Sequence, residues 1–266
     1  MIHIRGRVAL LVATAAVLPL LVFALVSVGS LRTGTRQSVV AGNMQLATRA
    51  AEQIEQYIAH AIATLQALGA DLQGTALEAW QQERILRNYV LAFPAFRELA
   101  LFDTGGRLVA TSRLTPSRLV LPPPAFDERG IALSPIAIDD DLLPRATVAV
   151  RVPAAGGSAG WVAAELRLEE MWRLVDRLRV GREGYALLID GHGRLLAHGH
   201  PDQKALVAYG SDMGDHPLVR NLLDHRPTGP VSTEYTSAAG RPVLAVAAIL
   251  PSLSWILIVE QPTEDA

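Results

Sequence analysis

Three histidines, His192, His198 and His200, fall within one nine-residue stretch. On an extended strand His198 and His200 project to the same face, a spacing that a metal ion can use. Asp139-Asp140-Asp141 offers carboxylate oxygens of the kind hard cations take. Arg113, Arg118, Arg129 and Arg145 flank that run, and a guanidinium can fork a carboxylate with two parallel hydrogen bonds. Each group also has a plainer reading. The histidines fit solvated residues at a hairpin end, the aspartates a solvated loop, and each arginine a surface charge. The chain has no cysteine, no Gly-x-Ser-x-Gly elbow and no Gly-rich phosphate loop with a lysine. An enzyme is therefore not expected, and no catalytic residue, metal or cofactor is assigned.

The elements that would position these groups begin with an apolar run. Val8 to Leu31 holds 24 residues without a charge, rich in Leu, Val and Ala. A helix of that length crosses a hydrocarbon core of ~30 Å, and backbone in lipid is forced to pair with itself. An uncleaved transmembrane anchor is the expectation. A cleaved signal peptide fits less well, because its apolar core is ~7–15 residues, and a buried core helix fits less well again. Arg5 and Arg7 before the run balance Arg32 and Arg36 after it, so the positive-inside rule does not orient it. Net charge is −2, which gives no electrostatic case for nucleic acid.

Beyond the run, apolar residues recur at Ala47, Ala51, Ile54, Ile58, Ala61, Leu65, Leu68 and Leu72. The alternating steps of four and three make a heptad stripe, the seam by which one helix packs on a neighbour. It suits a stalk carrying a homodimer contact and equally a helix packed on its own domain. Gly74-Thr75 breaks this helix. A second is expected over Ala76 to Ala92, with Leu77, Trp80, Ile85 and Tyr89 on one side, and Phe93-Pro94 ends it.

From Glu98 the period becomes strand-like, and a repeat emerges. Leu101 to Ala110 (LFDTGGRLVA) resembles Leu188 to Ala197 (LIDGHGRLLA), with Asp103 and Asp190 in register. Each reads as strand, tight turn, strand, the Asp capping the turn and Gly supplying positive φ. A second hairpin follows each copy. In the first, Arg145 to Val152 and Trp161 to Leu166 flank a loop, Pro153 to Gly160. In the second, Pro242 to Leu250 and Trp255 to Glu260 flank a turn. Two antiparallel sheets of about five strands are expected, joined by a helix over Leu168 to Leu178 with Met171, Trp172, Val175 and Leu178 on one side.

The heptad helix to Leu72, Leu101 to Ala110, Ser134 to Val152, the lead Gly181-Arg182-Glu183-Gly184-Tyr185-Ala186 into a strand ending at Asp190, and Trp255 to Pro262 together resemble the double Cache domain of bacterial membrane receptors. The resemblance implies an α+β chain: a transmembrane helix, a long stalk helix and two PAS-like antiparallel-sheet modules. Its divisions are a cytoplasmic stub 1–7, membrane helix 8–31, stalk 32–74, membrane-distal module 75–167, linker helix 168–180, membrane-proximal module 181–262 and tail 263–266. It further implies an extracytoplasmic sensor in the bacterial inner membrane. A small-molecule ligand would sit in the distal module near Arg113, Arg118, Asp139, Asp141 and Arg145. A homodimer would form through the stalk, and a separate cytoplasmic output would follow. Thr111 to Leu133 contains neither Trp nor Tyr, which departs from the pattern that grips amino acids in such sensors. The alternative is an anchored structural or dimerisation module with no ligand of its own.

Overall fold

A computed structural model describes residues 2–73, 77–117, 119, 125–138, 143–154, 157–225, 229–237 and 240–265. One helix, α1 (Ile2–Gln73), runs through the anchor and stalk segments without a break. The run 8–31 expected to cross a membrane lies, except for Phe23, outside the residues whose side chains are described. Among the described residues no helix is long and apolar enough to cross a membrane. The expected break at Gly74-Thr75 also lies outside the described residues.

The heptad stripe of α1 is used within the chain. Ala47, Ala51, Ile54, Ile58, Ala61, Leu65, Leu68 and Leu72 are all buried. They face two antiparallel sheets stacked end to end along the helix. Helix α2 (Ala79–Ala92) starts three residues later than the sequence suggests, where the N–H of Glu78 donates to Gln81 Oε1. It buries Leu86, and Leu77, Ile85 and Tyr89 of the expected face pack against the core, whereas Trp80 is exposed.

The distal sheet contains β1 (Phe96–Phe102), β2 (Leu108–Thr111), β3 (Ile131–Leu133), β4 (Ala137–Ile138), β5 (Pro144–Ala154) and β6 (Gly157–Arg167). Its order is β2-β1-β6-β5-β3, with β4 also on β5. β5 and β6 extend into the stretch expected as a loop and pair as far as Ala154 with Gly157. After the linker helix α3 (Glu169–Arg177) come β7 (Tyr185–Ile189), β8 (Leu195–His198), α4 (Lys204–Ala208), α5 (Pro217–His225), β9 (Val231–Thr236), β10 (Pro242–Leu250) and β11 (Trp255–Pro262). Their sheet, β8-β7-β11-β10-β9, has the connectivity of the first.

The sequence repeat is a structural one. Leu101 pairs with Ala110 and Leu188 with Ala197, each followed by a register shift. Asp103 Oδ1 accepts the N–H groups of Gly105 and Arg107. Asp190 Oδ1 accepts those of His192 and Arg194.

Strand alternation gives each sheet two faces. On β11, Trp255, Leu257 and Val259 join the core along α1, while Ile256 and Ile258 belong to a separate cluster on the outer face. On β1, Leu99 and Leu101 face the α1 core, and Ala100 and Phe102 face outward.

Candidate functional site

The outer face of the distal sheet is divided. One half is aromatic: Trp161 stacks on Phe102 at 5.6 Å, Phe126 meets the Trp161 ring edge-on at 6.1 Å, and Leu119 is buried with them. The other half is charged. Glu98 and Glu165 stand opposite one another on β1 and β6, 0% and 7% exposed. Glu98 accepts from Ser117 Oγ, from Thr111 Oγ1 at 3.3 Å and from Arg113 Nη1 at 3.5 Å. Glu165 lies 3.8 Å from Arg97 Nη1 and 3.9 Å from Arg145 Nη1, and Arg97 also pairs with Glu169. A bulge between Phe96 and Glu98 lets Arg97 reach this face. Buried carboxylates need such partners, since an isolated charge in a protein interior is very costly.

Arg113 and Arg145 are thus on one face, as the sequence suggests, and both are engaged with glutamates that sequence reading did not single out. Arg118, Asp139 and Asp141 lie outside the described residues. Arg129 is elsewhere: it pairs with Asp127 and lines a cleft of about 440 Å³ beside α1. Among the described residues no group of three His, Asp or Glu side chains is placed to hold a metal ion.

The proximal sheet has a more open outer face. Helices α4 and α5 cover part of it through Val207, Leu218, Val219 and Leu222. The remainder is a cavity of about 970 Å³. Tyr185, His198, Tyr235, Val243 and Glu260 come from the five strands, and His200, Met213 and His216 from the segments above them. Glu260 is 4% exposed. Its Oε1 accepts from Tyr235 Oη at 2.5 Å and from His216 Nε2 at 2.6 Å, His216 Nε2 is 2.9 Å from Tyr235 Oη, and Tyr185 lies beside the same carboxylate. Burial pushes this carboxyl up, but bonds to His216, Tyr235 and Tyr185 outweigh it and hold Glu260 below the usual carboxylate range. Burial and the Glu260 charge raise both tyrosines. Burial lowers His198 to about 4, and its Nδ1 accepts the His200 N–H at 3.0 Å. The neutral ring therefore carries its proton on Nε2. His216 Nδ1 is enclosed and has no partner among the described residues.

The sequence carried a signal for this network that was not read. Tyr235, Glu260 and Tyr185 alternate with residues facing α1 on β9, β11 and β7 of one sheet, so a polar group in a buried register marks a site.

Residues 32–266 match the Cache-domain family dCache_1, and the chain belongs to it. Solved structures share the fold. The extracellular domain of the histidine kinase mmHK1S-Z2 has 13% identity and a TM-score of 0.66, covering 85% of this chain and 97% of its own. The ligand-binding domain of a Pseudomonas aeruginosa PAO1 amino-acid chemoreceptor in complex with GABA has 16% identity and a TM-score of 0.64, covering 81% and 96%. The sensory domain of a Campylobacter jejuni chemoreceptor with isoleucine bound has 14% identity and a TM-score of 0.66, covering 88% and 96%. No curated protein matches the chain.

Proposed function

We propose that this chain is the ligand-sensing extracytoplasmic region of a membrane-anchored signal-transduction receptor. The observation that carries the reading is the outer face of the distal sheet, where an aromatic floor borders the buried Glu98 and Glu165 and the partly exposed Arg97, Arg113 and Arg145 that pair with them. Apolar walls with a few fixed polar groups are what a small-molecule site needs. Arg118, Asp139 and Asp141 belong to the same proposed site. Family membership supports this, as do relatives bound to GABA and to isoleucine.

Residues 8–31 anchor the chain in the bacterial inner membrane, with 32–266 on the outer side, and the output lies in a further domain or partner. The ligand favours one of two packings of the sheets on α1, and α1 shifts by an ångström or two, as in other helix-shift switches. A homodimer forms through the stalk part of α1.

Thermal unfolding of the detergent-solubilised full chain against a metabolite panel tests the reading. A ligand at a hundred times its Kd raises stability by about 2.7 kcal/mol, and Arg113→Ala removes the shift. A second reading, an anchored structural or dimerisation module, is favoured by the aromatic half being filled with the chain's own Phe102 and Trp161. It gains if no compound raises the melting temperature.

A further inference from the structure

The cavity of the proximal sheet is a separate site, in the other module from the one proposed above. Its volume, about 970 Å³, is at the upper end of the range for small-molecule sites, roughly 300–1,000 Å³. What it would accept follows from where its hydrogens point. A carboxylate only accepts hydrogen bonds, so Tyr235 Oη and His216 Nε2, at 2.5 Å and 2.6 Å from Glu260 Oε1, must both donate to it; His216 Nε2 is also 2.9 Å from Tyr235 Oη, which accepts from it. The Tyr185 ring lines the cavity beside the same carboxylate. A phenol has one hydrogen, so Tyr235 Oη, which lines the cavity, has only its remaining lone pair to offer a ligand. Glu260 thereby fixes Tyr235 as an acceptor.

The rings add to this polarity. Tyr185 is flanked by His198 at 5.1 Å and His200 at 5.8 Å, and Tyr235 by His216 at 5.0 Å. Ring faces attract cations, most strongly where water is excluded. At the mouth, Arg182 and Arg241 are spent on Asp265 and Glu183, while Arg179 lines the entrance. A ligand carboxylate on the floor would meet oxygen lone pairs beside a buried anion. A protonated amine, with three donors and no acceptor, meets complementary groups.

We propose that this proximal cavity is a second ligand site, selective for a small protonated amine whose ammonium group is held by the Tyr235 oxygen and the Tyr185 ring over Glu260. The probes are n-butylamine, butyrate and 1-butanol, which share a tail and differ in head group. Titration calorimetry on the detergent-solubilised full chain should show n-butylamine binding and neither of the others. Tyr235→Phe keeps the ring and removes one acceptor, and should weaken amine binding about tenfold, the usual loss for one bond to a charged group. Glu260→Gln can donate back to Tyr235 and should abolish it; if that variant does not unfold cooperatively, Tyr235→Phe decides alone. Equal amine binding by wild type and Tyr235→Phe would overturn the site. Butyrate binding that depends on Tyr235 would overturn the ligand class. No amine binding at all would overturn both, leaving the distal-site reading untouched.

Discussion

Asn43 on α1 donates its side-chain amide to Gln261 Oε1 on β11 at 2.8 Å, and both side chains are buried. Gln261 directly follows Glu260, so strand alternation puts one residue in the proximal cavity and the next on the stalk helix. The Gln261 amide nitrogen also donates to the Asp265 carbonyl at 2.7 Å. The Asp265 carboxylate in turn accepts the N–H groups of Arg182 and Glu183 at the cavity mouth. A movement of β11 under the cavity is therefore felt at α1 through a directional bond as well as through packing.

That bond makes a stability prediction. Asn43→Leu leaves Gln261 Oε1 buried without its donor, which costs about 1–3 kcal/mol. Replacing both partners with apolar residues is far less damaging than leaving one unpaired. Asn43→Leu combined with Gln261→Met should therefore lose less stability than the two single variants summed. Denaturant unfolding of the four proteins in a double-mutant cycle measures the difference. Additive losses would show that the two side chains are uncoupled.

The heptad stripe makes a second. Ile58 is 1% exposed with only one chain present, so its burial does not require a partner. Ile58→Ala should cost about 2–5 kcal/mol, the range for truncating a core isoleucine. The dependence of the melting temperature on protein concentration should be the same for wild type and variant. A dependence that weakens in Ile58→Ala would place the stripe in a contact between chains.

How much of this was legible beforehand follows from which physical signal each feature carries. The repeat was visible because Asp103 and Asp190 cap identical turns, and a turn is local chemistry. The stripe on α1 was visible as a periodicity, but its occupant was not, since a seam for a second helix and one for a sheet have the same spacing. Trp80 falls in the first turn of α2, which begins at Ala79, and its side chain is exposed, while Ile85 and Tyr89 further along pack on the core. The proximal network was missed for a different reason: Tyr185, Tyr235 and Glu260 are far apart in sequence and meet only through sheet order. Arg113 and Arg145 stand out by their charge, but Glu98 and Glu165, which hold them, sit inside otherwise apolar strands and meet them only in the folded sheet.

Gly160 was read as the end of a loop and lies instead in β6, with φ at +123°. A Cβ there would stand 1.9 Å from the Phe102 carbonyl oxygen, and a backbone atom cannot move aside as a side chain can. Gly160→Ala combines that clash with a backbone conformation only glycine adopts readily, itself costing about 1–3 kcal/mol. The variant should express poorly or melt well below wild type, with the hairpin of β5 and β6 the first region to lose amide-exchange protection. A melting temperature within a degree of wild type would mean that β1 and β6 do not approach as described.

His198 sets a pH dependence whose sign follows from its environment. Burial lowers it from the usual 6.5 to about 4, so the folded protein keeps the ring neutral where the unfolded chain has begun to protonate it. Above pH ~6.5 neither state carries the proton, and the full contribution to stability is present. As pH falls from there toward 4, the unfolded state takes up a proton that the folded state does not, and stability drops. His198→Asn offers an acceptor near the position of Nδ1 for the His200 N–H, 3.0 Å away in the wild type, and has no group that titrates in this window. Its stability should be lower at pH 7 and fall less steeply between pH 6.5 and 4 than that of wild type. Thermal melts at half-unit intervals would resolve the two slopes. Parallel slopes would mean that His198 is protonated as readily in the fold as in the unfolded chain.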